Sequence, residues 1–125
     1  MPTLAEAALT RQERALLDRF SQRLAEQFGS ALHAVWLFGS RARGRALHAE
    51  SDIDLLVLLD DASWDGKLAV RFVLEDAARE LGLEDVAWSF SVHVNTPAWL
   101  AQRRAIGSFF IAEVDRDKVV ITGEA

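Results

Sequence analysis

Two apolar runs constrain this chain most: LHAVWLF, from Leu32 to Phe38, and IDLLVLL, from Ile53 to Leu59. Consecutive apolar residues in a strand place hydrophobic side chains on both faces, so both faces need cover. A chain with two such strands builds a central sheet with helices packed against it. The second run carries a complication. Asp52 and Asp54 flank Ile53, and carboxylates in such a strand are costly unless something pairs with them.

The remaining segments supply the cover. Thr10 followed by Glu13 forms a capping box, and Leu16, Leu17, Phe20, Leu24 and Phe28 recur at helical spacing before Gly29. A helix is expected from about Thr10 to Phe28. Arg41 to Leu47 reads as a short helix or turn, and Asp60 to Gly66, with Trp64, as a loop. Leu68 to Leu81 carries a helical stripe of Val70, Val73, Leu74, Ala77 and Leu81, ended by Gly82. VAWSFSVHVN alternates, so Val86 to Asn95 is expected as a strand with Ser89, Ser91 and His93 on its polar face. Thr96-Pro97 starts a helix that stops near Gly107. A short helical turn and a last strand, Val119 to Thr122, follow. Trp36 and Trp88 read as core, and Phe109-Phe110 as a packed terminal turn. The fold class is α/β (α+β): a small mixed β-sheet with helices packed against it. Residues 1–125 are expected to form a single domain, with 1–9 a frayed leader.

Composition narrows the function. The net charge of −5 argues against a general nucleic-acid binder, whose footprint is basic. No apolar run is long enough for a membrane span, and no secretory signal is visible. The absence of cysteine excludes thiolate metal sites and suits a cytoplasmic protein. Against this acidic background Arg41, Arg43 and Arg45 cluster just after Gly39-Ser40. A positive loop beside a negative strand suits a small anion bridged by a cation.

The spacing supports that chemistry. Two residues apart on a strand, Asp52 and Asp54 project from one face and repel each other, which a divalent cation relieves. Mg²⁺ prefers such hard oxygen ligands and completes its shell with water and phosphates. Gly39-Ser40 ends a strand where a helical turn is expected, so backbone N–H groups and the Ser40 hydroxyl can cradle a phosphate, with Arg41 and Arg43 adding charge. The bland reading is a structural network in which the aspartates pair with Arg41, Arg43 or Arg45.

FGSRARG followed by SDIDLLV resembles the nucleotidyltransferase superfamily of DNA polymerase beta, in particular its minimal single-domain members. Eleven residues separate Ser40 from Asp52, close to that pattern's spacer. The resemblance implies ATP or another NTP bound with Mg²⁺ or Mn²⁺, and transfer of a nucleotidyl group to a hydroxyl on a protein or RNA. It implies Gly39, Ser40, Arg41, Arg43 and Ser51 at the nucleotide, and Asp52 and Asp54 as metal-binding and catalytic residues. Small members pair with a helical HEPN-type protein, often as the antitoxin of a couple; a homo-oligomer is also open.

One departure follows from the same resemblance. Active members carry a third carboxylate on a later strand, and the matching place falls near Ser91, with Ser89 the alternative; neither is acidic. His93 is a weak candidate base, and Trp64 a weak candidate for stacking the nucleobase. Two readings therefore stand: a nucleotidyltransferase, or a nucleotidyltransferase-like binding module that acts on its partner by contact.

Overall fold

The computed structural model describes residues 7–44 and 52–125. Thr10 and Glu13 start the first helix: the Glu13 backbone N–H donates to the Thr10 hydroxyl at 3.1 Å, and the Thr10 N–H to the Glu13 carboxylate at 2.8 Å. Helix α1 (Arg11–Phe28) buries Leu16, Leu17, Phe20 and Leu24 and stops at Gly29. A single 3₁₀ turn (Gly29–Ala31) leads into β1 (Leu32–Phe38), and β2 (Ile53–Leu59) runs antiparallel to it. Both strands occupy the positions their apolar runs predict. Helix α2 (Trp64–Leu81) and the short α3 (Glu84–Ala87) then carry the chain to β3 (Phe90–Asn95), which lies parallel to β2. Helices α4 (Pro97–Ala105) and α5 (Phe109–Asp117) precede β4 (Val119–Gly123), antiparallel to β1. The sheet order is β3-β2-β1-β4, so the sheet is mixed and β2 lies inside it.

Each face of the sheet has its own core. Val35, Leu37, Leu55, Val57 and Leu59 meet α1 and α2, with Leu17, Phe20, Leu24, Val70, Leu74 and Ala77 buried against them. Ala34, Trp36, Phe38, Leu56 and Leu58 meet Leu100 of α4 and Ile111 and Val114 of α5. Arg104 of α4 makes a two-pronged bond to Asp115 of α5 at 2.9 and 2.7 Å. Lys118 also reaches Asp115, and its ammonium lies 3.8 Å from the centre of the Trp36 ring. These charges fasten the second layer over the middle of the sheet.

Four local expectations need correction. Trp64 to Gly66 is the first turn of α2, not a loop: the Ser63 hydroxyl caps the helix by accepting from the Gly66 N–H. Val86 and Ala87 belong to α3, so the strand begins only at Phe90. Trp88 is 85% exposed rather than core. Phe109 and Phe110 are exposed, and they begin a nine-residue helix rather than a packed turn. The short helix or turn expected from Arg41 is a turn through Gly44, as far as it is described, and its remainder, with Arg45, lies outside the described residues.

Candidate functional site

The site lies at the end of the sheet where β1 finishes and β2 begins. Register pairs Phe38 of β1 with Asp54 of β2, and Asp54 with Ser91 of β3. These three residues form a row on the sheet face that α4 and α5 cover further along. Asp52, exposed and just before the strand, is near enough for its charge to act on the Asp54 carboxyl. Ser51, expected at the nucleotide, lies outside the described residues.

Gly39 follows immediately, with a φ of +79° that suits glycine far better than any residue with a Cβ. A Cβ placed there would stand 2.5 Å from Asp54 Oδ2. The backbone of the Gly-Ser turn therefore lies directly against the Asp54 carboxylate, and only glycine permits that approach. The turn is closed by the Arg43 N–H donating to the Gly39 carbonyl at 3.3 Å. Ser40 lies within it, half-buried.

The electrostatics match this crowding. Burial pushes the Asp54 carboxyl above the usual carboxylate range; the charge of His93 opposes the rise, Asp52 adds to it, and Arg43 opposes it. A carboxylate so placed gains from a nearby cation. Arg43 is exposed, its guanidinium 3.6 Å from Asp117 of α5. The His93 ring sits 5.7 Å from that of Phe38, and its Nε2 is 3.4 Å from the Ser91 hydroxyl. Beside the turn, Phe38, Gly39, Arg43, Phe110, Glu113 and Val114 line a cavity of about 180 Å³.

Not every expected residue is there. Arg41, expected at the phosphates, is buried, and its guanidinium donates to the Ala8 carbonyl at 3.0 Å and to Glu13 at 2.8 Å. It anchors the turn to the start of α1. Trp64 stands beyond the opposite end of β2, roughly 16 Å of strand from Asp54, so it cannot stack a base at this site. Ser89 precedes β3 and uses its carbonyl to accept from the Ile53 N–H at 2.7 Å. Of the two serines, Ser91 is the one in register with Asp54. Sequence reasoning missed Phe110, whose ring meets Phe38 edge-on at 5.5 Å; the adjacent phenylalanines after Gly107-Ser108 were its only signal.

Among the described residues no group of three or more histidine, aspartate or glutamate side chains is arranged to hold a metal. The aspartate pair itself fits a divalent cation: two hard oxygen donors near enough to feel each other's charge, one of them partly desolvated against a glycine turn. Asp52 and Asp54 would hold it, and when bound it would supply charge neutralisation for a phosphate.

The sequence has relatives. A Methanocaldococcus jannaschii protein named "Putative protein adenylyltransferase MJ1305" is 49% identical to this chain over 43 residues, 34% of the chain. The chain spans only 29% of that relative's length. A sequence profile of the nucleotidyltransferase domain matches residues 17–106, a span that takes in most of α1, the Gly-Ser turn, both aspartates and all of β3. The match takes in well over half of the chain, and the chain belongs to the nucleotidyltransferase domain family.

Proposed function

We propose that this protein binds Mg-ATP and transfers AMP to a hydroxyl on a partner protein. Nucleotidyl transfer from a nucleoside triphosphate is the chemistry of the family, which typically uses divalent metal ions. The contact between Gly39 and Asp54 is the observation that carries the finer reading. The Gly-Ser turn, which would cradle a phosphate, lies against the Asp54 carboxylate, which would hold the metal, and phosphoryl chemistry depends largely on such positioning and charge neutralisation. The named activity of the M. jannaschii relative favours a protein acceptor, and a HEPN-type helical protein in the cytoplasm is the partner we assign. Mn²⁺ would serve the same ligands.

A second reading has its own support. Ser91 occupies the register position beside Asp54, and a hydroxyl there neither neutralises a second cation nor accepts a proton as a carboxylate does. That favours a module that binds nucleotide and neutralises its partner by contact alone.

Calorimetric titration of ATP, with and without Mg²⁺, tests the proposal. Binding is expected to need Mg²⁺ and to disappear in Asp52→Asn/Asp54→Asn. Metal-independent binding that survives the double substitution would dismiss it. Ser91→Asp separates the two readings. Because ligand charge tunes cation affinity, it is expected to tighten Mg²⁺ binding by roughly tenfold, and to raise AMP transfer to the partner in the same assay. If transfer stays undetectable in both proteins while ATP still binds, the contact module is the better description.

A further inference from the structure

The largest cavity among the described pockets, about 380 Å³, lies away from the aspartates, against the outer edge of β3. β3 pairs with β2 on one side and with no described strand on the other. The Ile53 N–H donates to the Ser89 carbonyl, so Ser89 turns its backbone toward β2. In a parallel ladder the alternate residues share that direction. Ser91, His93 and Asn95 therefore face β2, and the amide and carbonyl groups of Phe90, Val92 and Val94 point outward. Val92 and Val94 both line the cavity.

Edge strands are ordinarily protected by lysine, proline, an inward charge or a bulge. FSVHVN, the sequence of β3, has no lysine, no proline and no carboxylate, and its pairing with β2 is continuous. The wall facing this edge is cationic: Lys67 and Arg71, one turn apart on α2, line the cavity above the buried Val70, and no carboxylate lines it. Glu75, which does not line the cavity, lies 3.3 Å from Arg71 and neutralises part of that charge, leaving Lys67. On a chain of net charge −5 this is a local reversal of sign.

We propose that the outer edge of β3 receives an extended, acidic segment of a partner protein as a fifth strand. Main-chain bonds to Val92 and Val94 supply affinity, and Lys67 and Arg71 select carboxylates on alternate residues of the added strand. The residues between them project on the opposite face, beside His93 and Asn95. Strands lie about 4.8 Å apart, so the added strand is the second neighbour of β2, and its outward residues stand beside the row that holds Asp54. The docking stands whether or not a nucleotidyl group is transferred.

The probe is an octapeptide of alternating glutamate and threonine, titrated into the isotopically labelled full-length chain and followed by amide chemical shifts. Saturable shifts are expected across Phe90–Asn95. They should be lost with the same peptide N-methylated throughout, which cannot donate to a strand edge. Lys67→Glu/Arg71→Glu is expected to weaken binding by about tenfold; both positions are on the surface of α2, and the amide spectrum itself reports whether the fold is kept. No saturable shift at millimolar peptide overturns the proposal. So does equal binding of a lysine-threonine peptide, or displacement by an oligouridylate, which would make the cationic wall a nucleic-acid contact.

Discussion

Gly39→Ala is expected to lower Mg-ATP affinity by about a hundredfold, the scale of loss that a misplacement of about 1 Å produces at a reacting centre. The added methyl would stand 2.5 Å from Asp54 Oδ2. That oxygen ends a side chain, so the crowding is relieved most cheaply by turning the carboxylate away. The fold survives at the expense of the site. A second cost comes from the backbone, because a residue with a Cβ at a φ of +79° carries about 1–2 kcal/mol of strain. Thermal unfolding should therefore move by only a few degrees while calorimetric binding collapses. Repeating the substitution in an Asp54→Ala background isolates the backbone share, since the clash has gone. Should affinity hold and only the melting temperature fall, Gly39 would be a folding residue with no direct bearing on the metal ligand.

Arg41→Met is expected to act in the opposite way, on stability. Arg41 and Glu13 form a buried pair, and removing one partner of such a pair costs about 3–5 kcal/mol because the other charge is left uncompensated. Against a typical domain stability of about 5–15 kcal/mol, that lowers the melting temperature by roughly 10–20 °C. Removing both charges together in Arg41→Met/Glu13→Leu should recover most of the loss, minus the capping bond Glu13 also makes to Thr10. Differential scanning calorimetry of the three proteins measures this. If Arg41→Met leaves the melting temperature unchanged and instead weakens ATP binding, Arg41 is a phosphate ligand after all.

The same pair sets a pH dependence. Burial tends to raise the Glu13 pKa, but the bonds from Arg41 and Thr10 outweigh it, and the carboxyl is held below the usual range. A depressed folded-state pKa contributes stability that is present above the unfolded value and lost as pH falls through the folded one. Wild type should therefore lose stability on acidification below about pH 4.3, the unfolded glutamate value, and the double variant should lose less of it. Equal acid sensitivity in both would remove Glu13 from the account.

Much of this architecture was legible in the residues. The Thr10–Glu13 box and the apolar runs of β1 and β2 are strong local signals, and packing reinforces each. The Gly-Ser turn was readable because few residue types allow its backbone conformation, and the Asp-x-Asp pair because carboxylates are costly in an apolar run. The misreadings have physical causes. Gly66 looks like a loop residue, yet a Cβ there would overlap the Asp61 carbonyl, so the first turn of α2 needs glycine for space rather than for flexibility. Val86-Ala-Trp-Ser imitates a strand because alternation over four residues also fits a single helical turn; the Ala87 N–H instead returns to the Leu83 carbonyl. Arg41 was misplaced because a charge beside a Gly-Ser turn looks like a phosphate ligand, and its partner Glu13 is distant in sequence. Nothing local announces a tertiary ion pair.

The position of β2 inside the sheet and β3 at its edge bears on how the molecule opens. β2 is laced on both sides, and β3 on one. Amide hydrogens of β2 that donate toward β1 should exchange with solvent only in global unfolding, whereas those of Phe90, Val92 and Val94 have no described strand to protect them. Local opening of this kind frees the most weakly held unit first. The strand bearing Ser91 and His93 can thus detach while the β1–β2 pair, with Gly39 still against Asp54, stays closed. The aspartate end of the sheet would then outlive the wall beside it, and a ligand held by that end would shield β2 far more than β3.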